Sequence, residues 1–186
     1  MEPNALYKTI YKIAKVVNGS LDPKEVLSQI VEQVTTAMHA KGCFIRLLDR
    51  TGTVLKPDSS YGLSDRYARK GPVQVSKSRL DQEVLQGRTV TIADVREDER
   101  FQYPQEAAKE GLVSLLVVPL VARGGKIIGV LRVYSATPRV FTEEELEFMG
   151  CIANLCGIAL ENARMFQTLK RTRELADAYM YQVFED

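Results

Sequence analysis

One stretch in the second half of the sequence constrains the fold more than any other. Two apolar segments, Ser114–Ala122 and Ile127–Ser135, are separated only by Arg-Gly-Gly-Lys at positions 123–126. Glycines in so short a connection supply the positive φ angles that a tight reversal needs, so we predict an antiparallel hairpin. Thr142 and Glu145 then have the spacing of a capping box, in which each side chain bonds the backbone N–H of the other residue. A helix is therefore expected to begin there and to cover one face of the hairpin.

The rest of the chain supplies further strands and helices. Asp22, Pro23 and Glu25 form a typical helix start, and Pro57 inside a strand indicates an edge or a bulge. In chain order we predict helices up to Val17 and from Pro23 to Met38, strands Cys43–Asp49 and Thr53–Tyr61, a helical turn Ser64–Arg69, an extended Val73–Val75, a helix Leu80–Gln86 capped by Ser78, a strand Thr89–Val95 and a helix Gln105–Glu110 before the hairpin. Antiparallel hairpins with helices gathered on their faces indicate an α+β domain.

Composition restricts the classes of function. The chain has 186 residues, enough for one domain with helical extensions. Its 25 basic and 24 acidic residues give a net charge of +1, so we expect no general affinity for nucleic acid or for an acidic membrane. No apolar run approaches the ~20 residues that span a bilayer, and the N-terminus lacks the pattern of a signal peptide. Three cysteines form no paired framework, which favours a reducing cytoplasm.

Several short motifs together resemble the GAF domain family, whose members sense small molecules. The motifs are IRLLD at 45–49, YGLS at 61–64, IADVREDERFQYP at 92–104, VVPL at 117–120, IGVLRVYS at 128–135, FTEEE at 141–145 and ENAR at 161–164. The resemblance implies a central antiparallel sheet of five or six strands, with terminal helices packed on one face and short helices and loops covering a pocket on the other. It divides the chain into an N-terminal helix (1–19), a GAF domain (20–164) and a C-terminal helical extension (165–186).

The signatures of known ligands in that family are largely missing. Cyclic-nucleotide binders carry Asn-Lys, then Phe, then Asp-Glu; here Phe141 matches, but Tyr134-Ser135 and Glu145-Leu146 stand at the other positions. Bilin binders need a cysteine that is often followed by histidine, and no such pair exists. Haem needs an axial ligand, and the single histidine, His39, is placed at a helix end. The resemblance therefore leaves the small-molecule ligand unidentified, and we predict no metal site.

The sequence predicts no catalysis. One enzymatic branch of the family reduces free methionine sulfoxide with a set of pocket cysteines. Here Cys43 begins a strand, and Cys151 and Cys156 lie on the final helix, five residues and roughly 140° apart. A reductase-like enzyme remains one alternative to a non-catalytic sensor, and a structural dimerisation module with a closed pocket is the other.

Polar and aromatic residues on the strands and covering loops are the candidate ligand-binding groups. Arg46 and Arg132 interrupt apolar strands, and a buried guanidinium needs an anionic partner. That partner is Asp94, another internal carboxylate or a ligand; alternatively, the arginines lie at an exposed edge. Ser114 starts a strand beside a covering loop and can donate to a ligand. Four aromatic residues can stack on a planar molecule or simply anchor the loops: Tyr61, Tyr67, Phe101 and Tyr103.

The terminal helices are the predicted output device. Residues on the final helix recur at four–three spacing, which is typical of a coiled-coil seam, and the first helix carries a similar stripe. The seam comprises Leu155, Ala159, Asn162, Phe166, Leu169, Arg173, Ala176, Met180 and Val183, and the stripe Leu6, Ile10, Ile13 and Val17. We expect a homodimer that passes a ligand-induced shift to an output domain or partner, either as a stand-alone sensor or as part of a longer signalling protein. The alternative is that the tail folds back or frays.

Overall fold

A computed structural model describes residues 3–184, and their core is a six-stranded antiparallel sheet with helices on both faces. The elements are α1 (Pro3–Gly19), α2 (Pro23–Ala37), β1 (Gly42–Leu48), β2 (Val54–Tyr61), α3 (Asp65–Ala68), β3 (Val73–Gln74), α4 (Arg79–Leu85), β4 (Val90–Ile92), α5 (Pro104–Glu110), β5 (Ser114–Val121), β6 (Ile127–Ser135) and α6 (Glu143–Phe184). The spatial order of the strands is β3-β2-β1-β6-β5-β4. The predicted α+β class and the hairpin of β5 and β6 are confirmed.

The register of β1 and β6 places two arginines on the same face of the sheet. Phe44 lies opposite Arg132, and Arg46 lies opposite Val130. Side chains alternate along a strand, so these residues all face the side that the short helices and loops cover. On its other edge β1 faces a bulge in β2: Ile45 lies opposite Ser59 and Arg46 lies opposite Pro57, so Asp58 has no partner on β1. The bulge is therefore beside Pro57, in agreement with the prediction.

The opposite face packs on a layer of three long helices. The apolar cores of α1, α2 and α6 meet Ile45, Leu131 and other residues of the sheet. Both ends of the Thr142–Glu145 capping box form, since the Thr142 N–H donates to the Glu145 carboxylate at 3.0 Å and the Glu145 N–H donates to the Thr142 hydroxyl at 3.3 Å. Asp22 caps α2 as predicted, accepting from the Lys24 N–H at 2.9 Å.

A different residue replaces the second half of the predicted box at α2. The Glu25 carboxylate accepts from the Ser20 hydroxyl at 2.8 Å, and the same hydroxyl accepts from the Asp22 N–H at 3.2 Å. The predicted box would have paired the Glu25 carboxylate directly with the Asp22 N–H. In the structure the Ser20 hydroxyl lies between these two groups and bonds both.

The predicted dimer residues fall into two groups. Leu6, Ile13, Val17 and Ala159 are buried within their own chain, and Ile10 and Leu155 are partly buried against the same core. The later seam residues are exposed: Asn162, Phe166, Leu169, Arg173 and Ala176. The side chains of Met180 and Val183 lie outside the described part of the structure. The dimer stays a prediction. If two copies meet along this seam, the exposed distal part of α6 is the part that can form the contact.

Helix α6 spans 42 residues. In spite of this length, neither α6 nor any other helix within residues 3–184 combines the length and apolar character that crossing a membrane requires.

Candidate functional site

A cluster of buried polar side chains lies beneath the short helices, on the face of the sheet that carries Arg46 and Arg132. Apolar residues of β1, β2, α4 and β5 surround it, among them Phe44, Leu55 and Leu80. Its members include Arg46, Tyr67, Asp81, Arg132 and Tyr134, each at most 2% exposed. Charged groups are almost never buried to this extent unless they are paired, so the partners of each group decide what the cluster can do.

Arg132 and Asp81 form a buried ion pair. Nη2 of Arg132 donates to the Asp81 carboxylate, and the two side chains are 2% and 1% exposed. Asp81 lies in the first turn of α4, where its carboxylate also accepts from the Ser78 hydroxyl at 2.6 Å. Burial is the largest single influence and would lower the pKa of Arg132, but the charges and hydrogen bonds of Asp81 and Tyr134 together outweigh it and raise the pKa. The anionic partner that Arg132 needs is thus an internal carboxylate, Asp81 rather than Asp94.

Arg46 has no carboxylate partner among the described residues. Its Nη1 donates to the Gly71 carbonyl at 3.1 Å and to the Leu55 carbonyl at 3.4 Å. The guanidinium lies 4.4 Å from the centroid of the Phe44 ring. Its Nε and Nη2 atoms are buried without a hydrogen-bond partner in the part of the chain that the structure describes. Burial, followed by repulsion from Arg132, lowers the pKa of Arg46 to about 10.

Lys70 adds a third cation, which the sequence reasoning missed. Its ammonium group lies 3.3 Å from the centroid of the Tyr67 ring, 5.0 Å from Tyr103 and 5.7 Å from Phe101. Nζ is buried and, within the described chain, has no hydrogen-bond partner. Burial, followed by repulsion from Arg132 and Arg46, lowers the pKa of Lys70 to about 6. A lysine with this pKa is largely neutral at pH 7, because burial and the two arginines outweigh the opposing charges of Glu106 and Asp81.

Two tyrosines complete the interior of the cluster. The rings of Tyr67 and Tyr134 meet edge to face with their centroids 5.8 Å apart. Both hydroxyls are buried, and neither makes a hydrogen bond of standard geometry among the described residues, although the two hydroxyls lie near each other and that of Tyr134 lies near the Arg132 guanidinium. Burial raises the pKa of Tyr67. Most buried polar groups in folded proteins are paired. Such a concentration of unpaired groups at one place is a candidate binding site.

A surface depression leads down to this cluster. It has a volume of about 280 Å³ and is lined by Arg66, Tyr67, Lys70, Glu106 and Lys109. Tyr67 and Lys70 belong to both the depression and the buried cluster, so these two side chains separate the depression from the other unpaired groups.

The structure brings five of the eight predicted ligand-binding residues together. Arg46, Arg132 and Tyr67 are in the cluster itself, and Phe101 and Tyr103 flank Lys70. Tyr103 also donates to the Pro72 carbonyl at 2.9 Å, which fixes the loop beside Lys70.

The other three predicted residues make contacts elsewhere. Tyr61 is 44% exposed at the end of β2. Asp94 binds Arg96, and the hydrogen bonds from the Arg96 side chain and backbone lower the pKa of Asp94 to about 2. Ser114 donates to the Ala93 carbonyl and accepts from the Arg139 N–H, both at 2.8 Å. Ser114 therefore joins two loops with its hydroxyl.

Sequence reasoning missed three members of the cluster. Tyr134 was detectable, because it follows Arg132 by two residues on the same strand and therefore faces the same side. Asp81 lies in the first turn of a predicted helix, where its N–H donates to the capping Ser78 hydroxyl at 3.3 Å, and no local pattern marks its carboxylate as buried. Lys70 sits in a polar loop segment that carries no local signal of burial.

The thiols and the histidine do not form a site. Cys43 and Cys156 are buried and Cys151 is exposed, and none is in a disulfide. Burial raises the pKa of Cys156 to about 12 and also raises that of Cys43. Within the described residues, no three side chains of the His, Cys, Asp and Glu types are grouped as metal ligands.

Comparison with known sequences places most of the chain in one family. Residues 20–161 match the family profile described as GAF domain. The methyl sulfide methyltransferase-associated sensor of Methanosarcina acetivorans is 30% identical over 86% of this chain, and the match covers 16% of that protein. The Nif-specific regulatory protein of Herbaspirillum seropedicae is 23% identical over 89% of this chain and 31% of its own length. The chain thus spans less than a third of these relatives.

Solved structures show the same architecture. The GAF domain of an Acinetobacter phosphoenolpyruvate-protein phosphotransferase aligns with a TM-score of 0.73 at 27% identity, over 86% of this chain and 94% of that one. The free methionine-R-sulfoxide reductase of Neisseria meningitidis, solved with its substrate, aligns with a TM-score of 0.74 at 19% identity, over 89% of this chain and 93% of that one. At that identity the second similarity concerns the fold alone.

Proposed function

The chain belongs to the GAF domain family, and we propose that it acts as a non-catalytic sensory domain which binds a small molecule between its sheet and its covering helices. The observation that carries this proposal is the group of unpaired buried polar atoms on Arg46, Lys70, Tyr67, Arg132 and Tyr134. Leaving such groups unpaired costs on the order of 1–3 kcal/mol each. A ligand that pairs them recovers part of that cost as binding energy.

The names of the relatives favour a regulatory role. One is a sensor and another is a regulatory protein, and both are several times longer than the matched segment. We propose that the domain signals through α6. This helix packs on β5, a strand of the sheet that would hold the ligand, and then extends beyond the sheet. The ligand shifts the helix arrangement only if it binds one arrangement better than the other. The output domain or partner would lie at the far end of this helix, and a homodimer would pair two such helices.

An enzymatic role of the reductase type finds little support in the cysteines. Thiolates rather than thiols are the reactive species, and burial raises the pKa of both Cys43 and Cys156. Cys151 is exposed on α6. This helix packs with α1 and α2 on one face of the sheet, and the polar cluster lies on the opposite face. The unpaired thiols also favour a reducing compartment such as the cytoplasm.

A structural dimerisation module is the second candidate, and one observation favours it. The space beneath the covering helices is occupied by large side chains, including Phe44, Tyr67 and Tyr134. A ligand can enter only if Lys70 and the neighbouring loop move, whereas a scaffold needs no such movement.

Native mass spectrometry of the protein purified from its own host separates these candidates. A dimer that carries a small molecule released by denaturation is the result expected for a sensor, and the released mass identifies the ligand. A dimer without a bound molecule that also binds none from a host metabolite extract supports the structural module. A monomer removes the argument for signalling through paired helices.

A further inference from the structure

We propose that the ligand of this domain is a small oxyanion, a carboxylate or a phosphate, held by Arg46, Arg132 and Lys70. This inference rests on the proposed function, because it assigns a ligand class to the same site. Four independent features of the site lead to it.

The charges of the cluster do not balance. Arg46 and Arg132 supply two cations, and Lys70 supplies a third when it is protonated, whereas Asp81 is the one buried carboxylate among the described residues that meets them. Removing a charge from water is costly unless an opposite charge accompanies it. A ligand with one or two negative charges would neutralise the excess, whereas a cationic ligand would increase it.

The unpaired atoms are chiefly donors. Nε and Nη2 of Arg46, Nε of Arg132 and Nζ of Lys70 are buried without partners in the described chain. Of the other unpaired atoms there, the Tyr67 and Tyr134 hydroxyls can donate or accept, and Oε1 of Gln102 is an acceptor. A guanidinium donates hydrogen bonds and cannot accept them, and the same holds for Lys70 once it is protonated. Their missing partner must therefore be an acceptor, and the planar fork of a guanidinium matches a carboxylate or a phosphate in particular.

The position of Arg46 links the donors to the loop above them. Its Nη1 holds the carbonyl of Gly71, the residue after Lys70, at 3.1 Å. The free Nη2 of the same guanidinium therefore lies below the loop that also carries the Lys70 ammonium. An anion that enters beside Lys70 meets Arg46 without any rearrangement of β1.

The entrance has the same sign of charge as the interior. The depression above the cluster is lined by Arg66, Lys70 and Lys109, against the single acidic residue Glu106. A cleft lined by one sign of charge concentrates ions of the opposite sign and speeds their entry. The depression has a volume of about 280 Å³, which is enough for a small anion.

Proton uptake follows from the surroundings of Lys70. The ionisable groups that face it are Tyr67 on α3, Arg46 on β1, Arg132 on β6, Asp81 on α4, Glu106 on α5 and Tyr103 before α5, with Arg66 and Lys109 at the entrance. With burial and two arginines opposing its charge, Lys70 is mostly neutral at pH 7.5 in the free protein. An adjacent anion favours the ammonium form. The anion therefore binds together with a proton, which comes from solvent and ends on Nζ.

Isothermal titration calorimetry of the full chain tests the proposal with two probes, succinate and inorganic phosphate. Titrations at pH 7.5 and matched ionic strength use two buffers of different ionisation enthalpy, so that the number of protons taken up can be extracted. We expect one probe to bind saturably with uptake of about one proton, and methylammonium chloride not to bind. Binding of succinate alone assigns a carboxylate ligand, and binding of phosphate alone assigns a phosphate.

Lys70→Met is the decisive variant, and Lys77→Met is its control, because Lys77 is an exposed lysine on the same side of the sheet. Loss of one charge-assisted hydrogen bond should weaken probe binding roughly 10- to 100-fold and abolish proton uptake. Lys77→Met should bind like the parent protein. Equal affinity and equal proton uptake in Lys70→Met would overturn the assignment of Lys70.

The outcome also separates this inference from the function on which it rests. A neutral or cationic molecule recovered by native mass spectrometry, together with no binding of either probe, leaves the sensor intact and overturns the oxyanion. If no molecule is recovered and neither probe binds, both proposals fail.

Discussion

At the scale of single residues, the ion pair of Arg132 and Asp81 should contribute to stability mainly through the cost of breaking it. Arg132→Met leaves the Asp81 carboxylate buried without its counter-charge, for which we expect a loss of about 3–5 kcal/mol in the free energy of unfolding. Urea denaturation followed by circular dichroism measures this loss. The serine that also donates to Asp81 cannot replace the charge of a guanidinium.

The matched control is the double variant Arg132→Met/Asp81→Asn. It removes both charges and keeps a side-chain oxygen that can accept from Ser78, so most of the lost stability should return. If the double variant is no more stable than Arg132→Met alone, the cost does not arise from an unpaired carboxylate.

Lys70 makes the stability of the free protein depend on pH. Its pKa is about 6 in the folded chain, against about 10.4 for an unperturbed lysine. Between these values the unfolded chain binds a proton that the folded chain does not, so stability rises with pH, by at most about 1.4 kcal/mol per unit. Lys70→Met removes this titrating group, and with it the loss of folding stability that the deprotonation of Lys70 causes. The variant should exceed the parent in stability most near pH 6 and progressively less toward pH 9, as thermal unfolding in ligand-free buffer would show. A difference that stays constant across that range would mean that Lys70 keeps its charge on folding.

The residues of the candidate site differ in how far the sequence predicts them. Arg46 and Arg132 stand out because a charge interrupts an apolar strand, and alternation along the strand gives their common face. Lys70 and Asp81 come from separate loop and helix segments whose distance depends on how those segments cross the sheet. Local patterns contain no information about such a crossing, so half of the charged groups in the site remain hidden until the fold is known.

At the scale of elements, the strands of the two long hairpins are predicted to within a residue or two, but the length of the strand between them is not. The strand predicted over Thr89–Val95 is only Val90–Ile92 in the structure. The reason is local: the Asp94 carboxylate accepts from the Arg96 N–H at 2.9 Å and turns the chain away from the sheet. Alternation of apolar and polar residues continues past the point where this turn ends the strand.

Two glycines of α6 should respond in opposite ways to the same substitution. A Cβ on Gly157 would overlap the backbone carbonyl of Val121 at the end of β5, whereas one on Gly150 meets nothing within 4 Å. Gly157→Ala must push the helix from the sheet, and we expect it to cost about 1–3 kcal/mol. Gly150→Ala should instead stabilise the protein by up to about 1 kcal/mol through helix propensity. Urea denaturation of both variants measures the two effects. Equal stabilisation by both would show that α6 does not approach β5 as closely as the structure has it.

At the scale of the whole molecule, the first part of the predicted seam and the distal part of α6 have different roles. Ala159 of the seam, together with Ile13 and Val17 of the stripe on α1, packs in the core that joins the terminal helices to the sheet. Further along α6, Met165, Phe166 and Leu169 expose 55%, 46% and 67% of their surface. Exposed apolar residues that recur on one helix face mark an interaction surface more often than isolated ones do. The predicted homodimer would therefore form along this distal face.

Leu169→Glu tests that interface, because it places a charge near the centre of the exposed face in both copies. Gln167→Glu is the matched control: it changes the charge by the same amount and lies roughly 160° around the helix from Leu169. Leucine, glutamine and glutamate have similar helix propensities, so the helix content should be unchanged in both variants. Sedimentation velocity over a range of concentrations should show a dimer for the parent and for Gln167→Glu, and a dissociation constant at least about tenfold higher for Leu169→Glu, since burying an unpaired carboxylate is costly.

A dimer that survives Leu169→Glu unchanged would mean that the copies meet through another surface, and signalling through paired α6 helices would then have no structural basis.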